Sequence, residues 1–169
     1  MIFRKATLSD LDAMMNIIAQ AQLFMKNQGL AQWQNGYPQK EIIEQDILHS
    51  NAFVLCENEN ILCMATVIFT GEPTYREIYD GCWLSNQEYA VVHRLAVNHE
   101  HRRGGTGSLM MRHIETFALN RSVLSIKVDT HEDNIPMQDL LRKCGYIYCG
   151  FIYLLNGDKR LAFEKLLGT

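Results

Sequence analysis

No apolar run in this 169-residue chain approaches the roughly 20 residues needed to span a bilayer. The opening Met1-Ile2-Phe3-Arg4-Lys5 passes into a polar stretch, unlike a signal peptide. These absences predict a soluble, cytoplasmic protein with no membrane partner. Basic excess is missing as well. The net charge is -3 and the pI about 6.1, whereas a nucleic-acid binder carries surplus cations to neutralise phosphates. No nucleic-acid partner is expected. The five cysteines, Cys56, Cys63, Cys82, Cys144 and Cys149, form no CxxC pair and stand at no metal-ligand spacing from histidine. Most read as small apolar core residues, and no metal is expected. Cys144 and Cys149 lie near the chemically informative region, where a reactive thiol is the alternative reading. The length suits one full core and not two ordinary domains, so residues 1–169 are read as a single domain.

What is present is an alternation of strand and helix signals. Residues 4–6 read as a short strand, and Thr7-Leu8-Ser9-Asp10 supplies helix-capping residues. Leu11, Met14, Met15, Ile18, Ala21, Gln22 and Met25 then recur at helical spacing until Gly29 stops the pattern. Pro38 suits the first turn of a second helix, whose apolar side is Ile42, Ile43, Ile47 and Leu48. Residues 52–57 and 61–70 flank Asn58-Glu59-Asn60 as a hairpin, which a Gly71/Pro73 break ends. Further on come a strand at 88–97, a helix at 107–119, a strand at 123–129 and a helix at 135–143 that Asn134 and Pro136 start and Gly145 ends. Last, strands at 146–155 and 160–167 flank the turn Asn156-Gly157-Asp158-Lys159. The order predicts an α/β fold: a mixed, largely antiparallel central sheet of about seven strands flanked by about four helices.

The chemistry concentrates in Leu95-Ala96-Val97-Asn98-His99-Glu100-His101-Arg102-Arg103-Gly104-Gly105-Thr106-Gly107-Ser108, where a strand end, a polar loop and glycines open a helix. Such a turn converges backbone N–H groups at a helix N-terminus, which favours a pyrophosphate. The loop is not a P-loop, because no Gly-Lys-Ser/Thr ending follows. It is not a dinucleotide fingerprint either, because Met110 stands where the third small residue belongs. A loop that merely turns the chain into a helix remains the plain alternative.

Arg102-Arg103-Gly104-Gly105-Thr106-Gly107 resembles the Gln/Arg-x-x-Gly-x-Gly/Ala loop of the GNAT superfamily of N-acetyltransferases. Leu95-Ala96-Val97 resembles that family's preceding strand. The stretch from Asn134 through Leu140 and Leu141 to Gly145-Tyr146 is similar to its Asn-x-x-Ala-x-x-Leu-Tyr-x-x-x-Gly-Phe segment. The resemblance spans nearly the whole chain and implies a single GNAT-like domain with acetyl-CoA as co-substrate. By resemblance, the backbone of Leu95, Ala96 and Val97 pairs with the pantetheine arm. Arg102, Arg103, Gly104, Gly105, Thr106, Gly107 and Ser108 hold the pyrophosphate, and Asn134 meets the arm from the other side. The implied reaction is acetyl transfer to a primary amine, on a small molecule or a protein. A non-catalytic acyl-CoA-binding or sensing module on the same fold is the alternative.

An alkyl amine, with a pKa of about 10, needs a base at neutral pH, and the departing thiolate benefits from an acid. His93, two residues before Leu95 on the face that strand alternation assigns, is the candidate base; a structural strand histidine is the alternative. The family's usual acid, a tyrosine, corresponds here to Leu141, which leaves Tyr153 and Tyr148 as candidates. In GNAT folds the first two helices and the last hairpin build the acceptor pocket. That makes Phe24, Trp33, Tyr37 and Trp83 candidate wall residues, Trp33 and Tyr37 foremost. A small-molecule amine is the expected partner, and the resemblance implies a homodimer paired through the last hairpin.

Overall fold

The structure is a computed structural model describing residues 1–102 and 104–168. Its described residues form seven strands and four α-helices: β1 (Ile2–Lys5), α1 (Leu11–Asn27), α2 (Lys40–Leu48), β2 (Ala52–Glu57), β3 (Asn60–Ile68), β4 (Ala90–Val97), α3 (Thr106–Leu119), β5 (Ser125–Thr130), α4 (Ile135–Lys143), β6 (Ile147–Tyr153) and β7 (Lys159–Leu166). They build one mixed α/β sheet in the order β1-β2-β3-β4-β5-β7-β6. β4 and β5 run parallel, as a crossover through α3 requires. The pairs β1–β2, β2–β3, β5–β7 and β6–β7 are antiparallel. No helix among the described residues is long and apolar enough to cross a membrane. The chain packs as two compact units, Met1–Val67 with Arg94–Met110, and Ile68–His93 with Met111 onward.

In the first unit, α1 buries Leu11, Met14, Ile17, Ile18, Ala21 and Met25 against Ile43, Val54 and Met64, the one-sided apolar stripe of a core-facing helix. Gly29 ends it at φ 73°, and Leu30 N–H donates to Met25 O; a left-handed residue just past a helix is accessible to glycine at little cost. Before α1, Thr7 N–H donates to Asp10 Oδ2 at 2.8 Å. The Arg4 guanidinium binds both oxygens of the same carboxylate, at 2.7 and 2.8 Å. The second helix starts later than Pro38 suggests. Gln39 is still extended at ψ 163° and caps a helix that begins at Lys40.

In the second unit, β7 is the middle strand of β5-β7-β6, and its turn to β6 closes with Leu154 N–H donating to Asp158 O at 2.9 Å. Residues 69–89, read from the sequence as the ends of two strands around a Gly71/Pro73 break, lie outside the strands and form a connection fastened to them. The Tyr75 hydroxyl donates to Asp129 at 2.6 Å. Leu84 N–H and the Ser85 hydroxyl donate to the buried Glu164 carboxylate at 2.5 and 2.9 Å. Tyr79 pairs with Phe151 of β6, and beside them a Cβ on Gly81 would collide with the Cys149 carbonyl. The Lys127 ammonium sits 4.3 and 4.0 Å from the ring centroids of Trp83 and Tyr89.

Candidate functional site

β4 runs beside β5 in its first half. Its ladder with β5 consists of Ala90↔Ile126 and Val91↔Lys127, and Arg94 then takes a left-handed φ of 53°. A non-glycine residue there is held by its surroundings. The Arg94 guanidinium donates to both oxygens of Asp46 at 2.7 and 2.9 Å, to the Tyr37 hydroxyl at 2.6 Å and to the Thr66 hydroxyl at 3.3 Å. This network fixes the bend immediately before Leu95, Ala96 and Val97. Ala96 packs into the core, while Leu95 and Val97 are half-buried. The bend also removes the basis for placing His93 on the Leu95 face, because period-two alternation does not carry through a left-handed residue.

After β4, Asn98 N–H donates to Leu62 O at 2.9 Å and the Asn98 side chain accepts from Glu100 N–H at 3.3 Å. Gly104 and Gly105 are exposed. Gly105 has φ 81°, with no atom within 4 Å of where a Cβ would stand. Thr106 is buried at the start of α3, Gly107 and Ser108 are half-buried, and Leu109 N–H donates to Gly105 O at 2.9 Å. An open glycine turn ahead of a helix, whose first N–H groups lack intrahelical partners, fits a pyrophosphate. Arg103 lies outside the described residues. Arg102 is held by α1: its guanidinium stacks 4.4 Å from the Phe24 ring centroid and donates to Gln20 O at 3.3 Å. Burial lowers its pKa.

Tyr37 thus has a role the sequence did not disclose, as hydroxyl acceptor for Arg94. Trp33 meets its ring edge-on at 6.4 Å and packs against the α1 core. In the other unit, Asn134 is buried and caps α4, its side chain accepting from Met137 N–H at 3.2 Å. Leu141 is fully buried. Tyr153 is half-exposed, edge-on to Tyr79 and Phe151.

His93 lies in the same unit as residues 69–89, and its Nε2 is 3.2 Å from Glu72 Oε2. Glu72 also accepts from Thr74 N–H and the Thr74 hydroxyl at 3.2 and 2.9 Å. The hydrogen bond from His93, with those from Thr74, outweighs burial and holds the Glu72 carboxyl down at about 2. Asp10 is likewise held at about 2, chiefly by Arg4, against burial. Carboxyls depressed below their unfolded value of about 4 add stability above that pH and lose it as pH falls through their folded values. Stability is therefore expected to drop between about pH 4 and pH 2, and less so in Glu72→Gln, a difference that urea titrations at stepped pH would measure.

Among the described residues no group of three or more His, Cys, Asp or Glu is gathered to hold a metal. Residues 15–146 match the acetyltransferase (GNAT) family. The chain belongs to that family, a class of acetyl-CoA-dependent acetyltransferases. It is similar to the crystal structure of a GNAT-family acetyltransferase from Streptococcus agalactiae 2603, with 32% identity and a TM-score of 0.90 over 99% of this chain and 96% of that one. The ribosomal-protein-alanine N-acetyltransferase of Brucella melitensis shares the fold at 19% identity, with a TM-score of 0.72 over 99% of this chain and all of that one. A streptothricin acetyltransferase of Escherichia coli is 30% identical over 63 residues, which span 37% of this chain and 36% of that protein.

Proposed function

We propose that this chain moves the acetyl group of acetyl-CoA directly onto a primary amine, in the cytoplasm and as one GNAT domain spanning residues 1–169. The observation that carries the reading is the bent β4 followed by the open glycine turn of α3. The backbone of Leu95, Ala96 and Val97 would pair with the pantetheine arm. The loop from Arg102 to Ser108, Arg103 included, would hold the pyrophosphate, and Asn134 would contact the arm from the other side. The bound donor supplies the thioester. His93 takes the amine proton, and Tyr153 is the candidate donor to the departing thiolate. Trp33 is a candidate wall of the acceptor pocket, with Tyr37 shaping it through Arg94. The acceptor is proposed to be a small-molecule amine, of which streptothricin is one candidate through the partial relative.

A second reading, an acyl-CoA-binding module without turnover, is favoured by one feature: fully buried Leu141 occupies the family's usual acid position. Thiol release from acetyl-CoA, followed across streptothricin, spermidine, tryptamine, lysine and a short peptide, separates the two. Release above background with at least one amine, together with mass-spectrometric detection of the acetylated product, is expected. Tight acetyl-CoA binding with none of the amines acetylated would overturn catalysis in favour of the second reading.

A further inference from the structure

We propose that Glu72 is the positioning residue of a Glu–His dyad, holding His93 as the Nε2–H tautomer so that the Nδ1 lone pair receives the proton of the acceptor amine. The inference rests on the reading of His93 as the base. Its ground is the division of labour between the two Glu72 oxygens. Oε1 accepts the Thr74 N–H and hydroxyl, which fixes the carboxylate plane, and Oε2 is left 3.2 Å from His93 Nε2. An ionised carboxylate accepts hydrogen bonds and donates none, so the shared proton belongs to Nε2. The depressed Glu72 carboxyl supports that ionisation. Among the described residues nothing hydrogen-bonds to Nδ1.

The Glu72 backbone is fastened as well, its N–H donating to the Tyr89 hydroxyl at 3.4 Å. The two side chains are 19% and 21% exposed, shielded enough for their charges to couple and open enough to exchange protons. The other titratable groups facing the imidazole are Tyr75, whose ring centroid is 6.5 Å away, and Asp129 of β5 behind it. Asp129 Oδ1 is taken by the Tyr75 hydroxyl at 2.6 Å, so Glu72 is the carboxylate that serves His93.

In the step this dyad performs, an N–H proton of the alkylammonium passes to Nδ1, and Glu72 balances the imidazolium that forms. The freed nitrogen lone pair makes the C–N bond at the acetyl carbon while the C–S bond breaks and its electron pair leaves on sulfur. The thiolate takes the proton of Tyr153, which the surplus proton on nitrogen restores, and His93 returns its proton to water. One proton is released per turnover.

Long-range proton–nitrogen correlation spectra of protein with 15N-labelled histidine read the tautomer without any acceptor, His93 being assigned by the signal lost in His93→Gln. Wild type should show the Nε2–H pattern, and Glu72→Ala should mix the tautomers. Glu72→Gln, nearly isosteric, guards against misfolding of the alanine variant: Thr74 keeps the amide oxygen as its acceptor, so the NH2 faces Nε2 and should shift His93 toward the Nδ1–H tautomer. With whichever amine of the panel is acetylated, Glu72→Ala should lower kcat about 10- to 100-fold at unchanged acetyl-CoA KM, and the double variant with His93→Gln should be no slower than His93→Gln alone. An Nδ1–H pattern in wild type, or losses that multiply in the double variant, overturns the dyad. If no amine is acetylated, the catalytic reading falls while the tautomer still decides the role of Glu72.

Discussion

Aspartates at both Gly105 and Gly107 are expected to weaken acetyl-CoA binding about a hundredfold or more, as measured by titration calorimetry. Two carboxylates placed where a pyrophosphate sits repel it, and at about 4 Å and an effective dielectric near 20 each charge pair is worth up to about 4 kcal/mol. Affinity changes about tenfold for every 1.4 kcal/mol. Gly105 at φ 81° has open space at its Cβ position, so the substitution meets backbone strain of about 1 kcal/mol rather than a clash. Gly105→Ala carries the same strain without the charge and is the control. It should bind within about tenfold of wild type. Equal binding by wild type and the double aspartate variant would place the pyrophosphate elsewhere.

The second large effect is expected at Asp46. Truncation to alanine strands the Arg94 guanidinium, whose side chain and that of Asp46 are each only 11% exposed. An uncompensated buried charge of this kind costs about 3–5 kcal/mol, visible as a lower urea midpoint at unchanged slope. Replacing both partners, Asp46→Ala with Arg94→Met, should recover part of that stability because no charge is then stranded. It should not recover acetyl-CoA affinity, since the left-handed turn before Leu95 loses the contacts that hold it. A loss in Asp46→Ala below about 1 kcal/mol, as for an exposed ion pair, would show that water solvates the pair after all.

What was legible in the sequence was local. The α1 stripe, the Gly29 stop, the Asn156-Gly157 turn and the glycine loop each depend on residues within a turn or two of one another, so periodicity and turn chemistry expose them. The network around Arg94 does not work that way. Its partners Tyr37, Asp46 and Thr66 stand 57, 48 and 28 positions away. One clue was available: Asp46 falls on the apolar side of its helix with Ile43 and Ile47, and a carboxylate there needs a partner. Glu72 gave no comparable signal, because residues 69–89 have no repeating pattern and are organised by tethers to distant strands. The face that His93 takes was hidden for a narrower reason. Strand alternation is a sound rule, and Arg94 at φ 53° interrupts it.

The connection that carries Glu72 is tied down at Tyr75, Tyr79, Leu84 and Ser85 by groups of its own unit. Its conformational freedom was surrendered when the protein folded, so an arriving amine does not have to order it. Binding free energy from the rest of the acceptor is then available for orienting the nitrogen toward the thioester. Turnover by such a preset base should track the amine's own fit and basicity, and the proton-transfer step should be insensitive to solvent viscosity, unlike one gated by a closing lid.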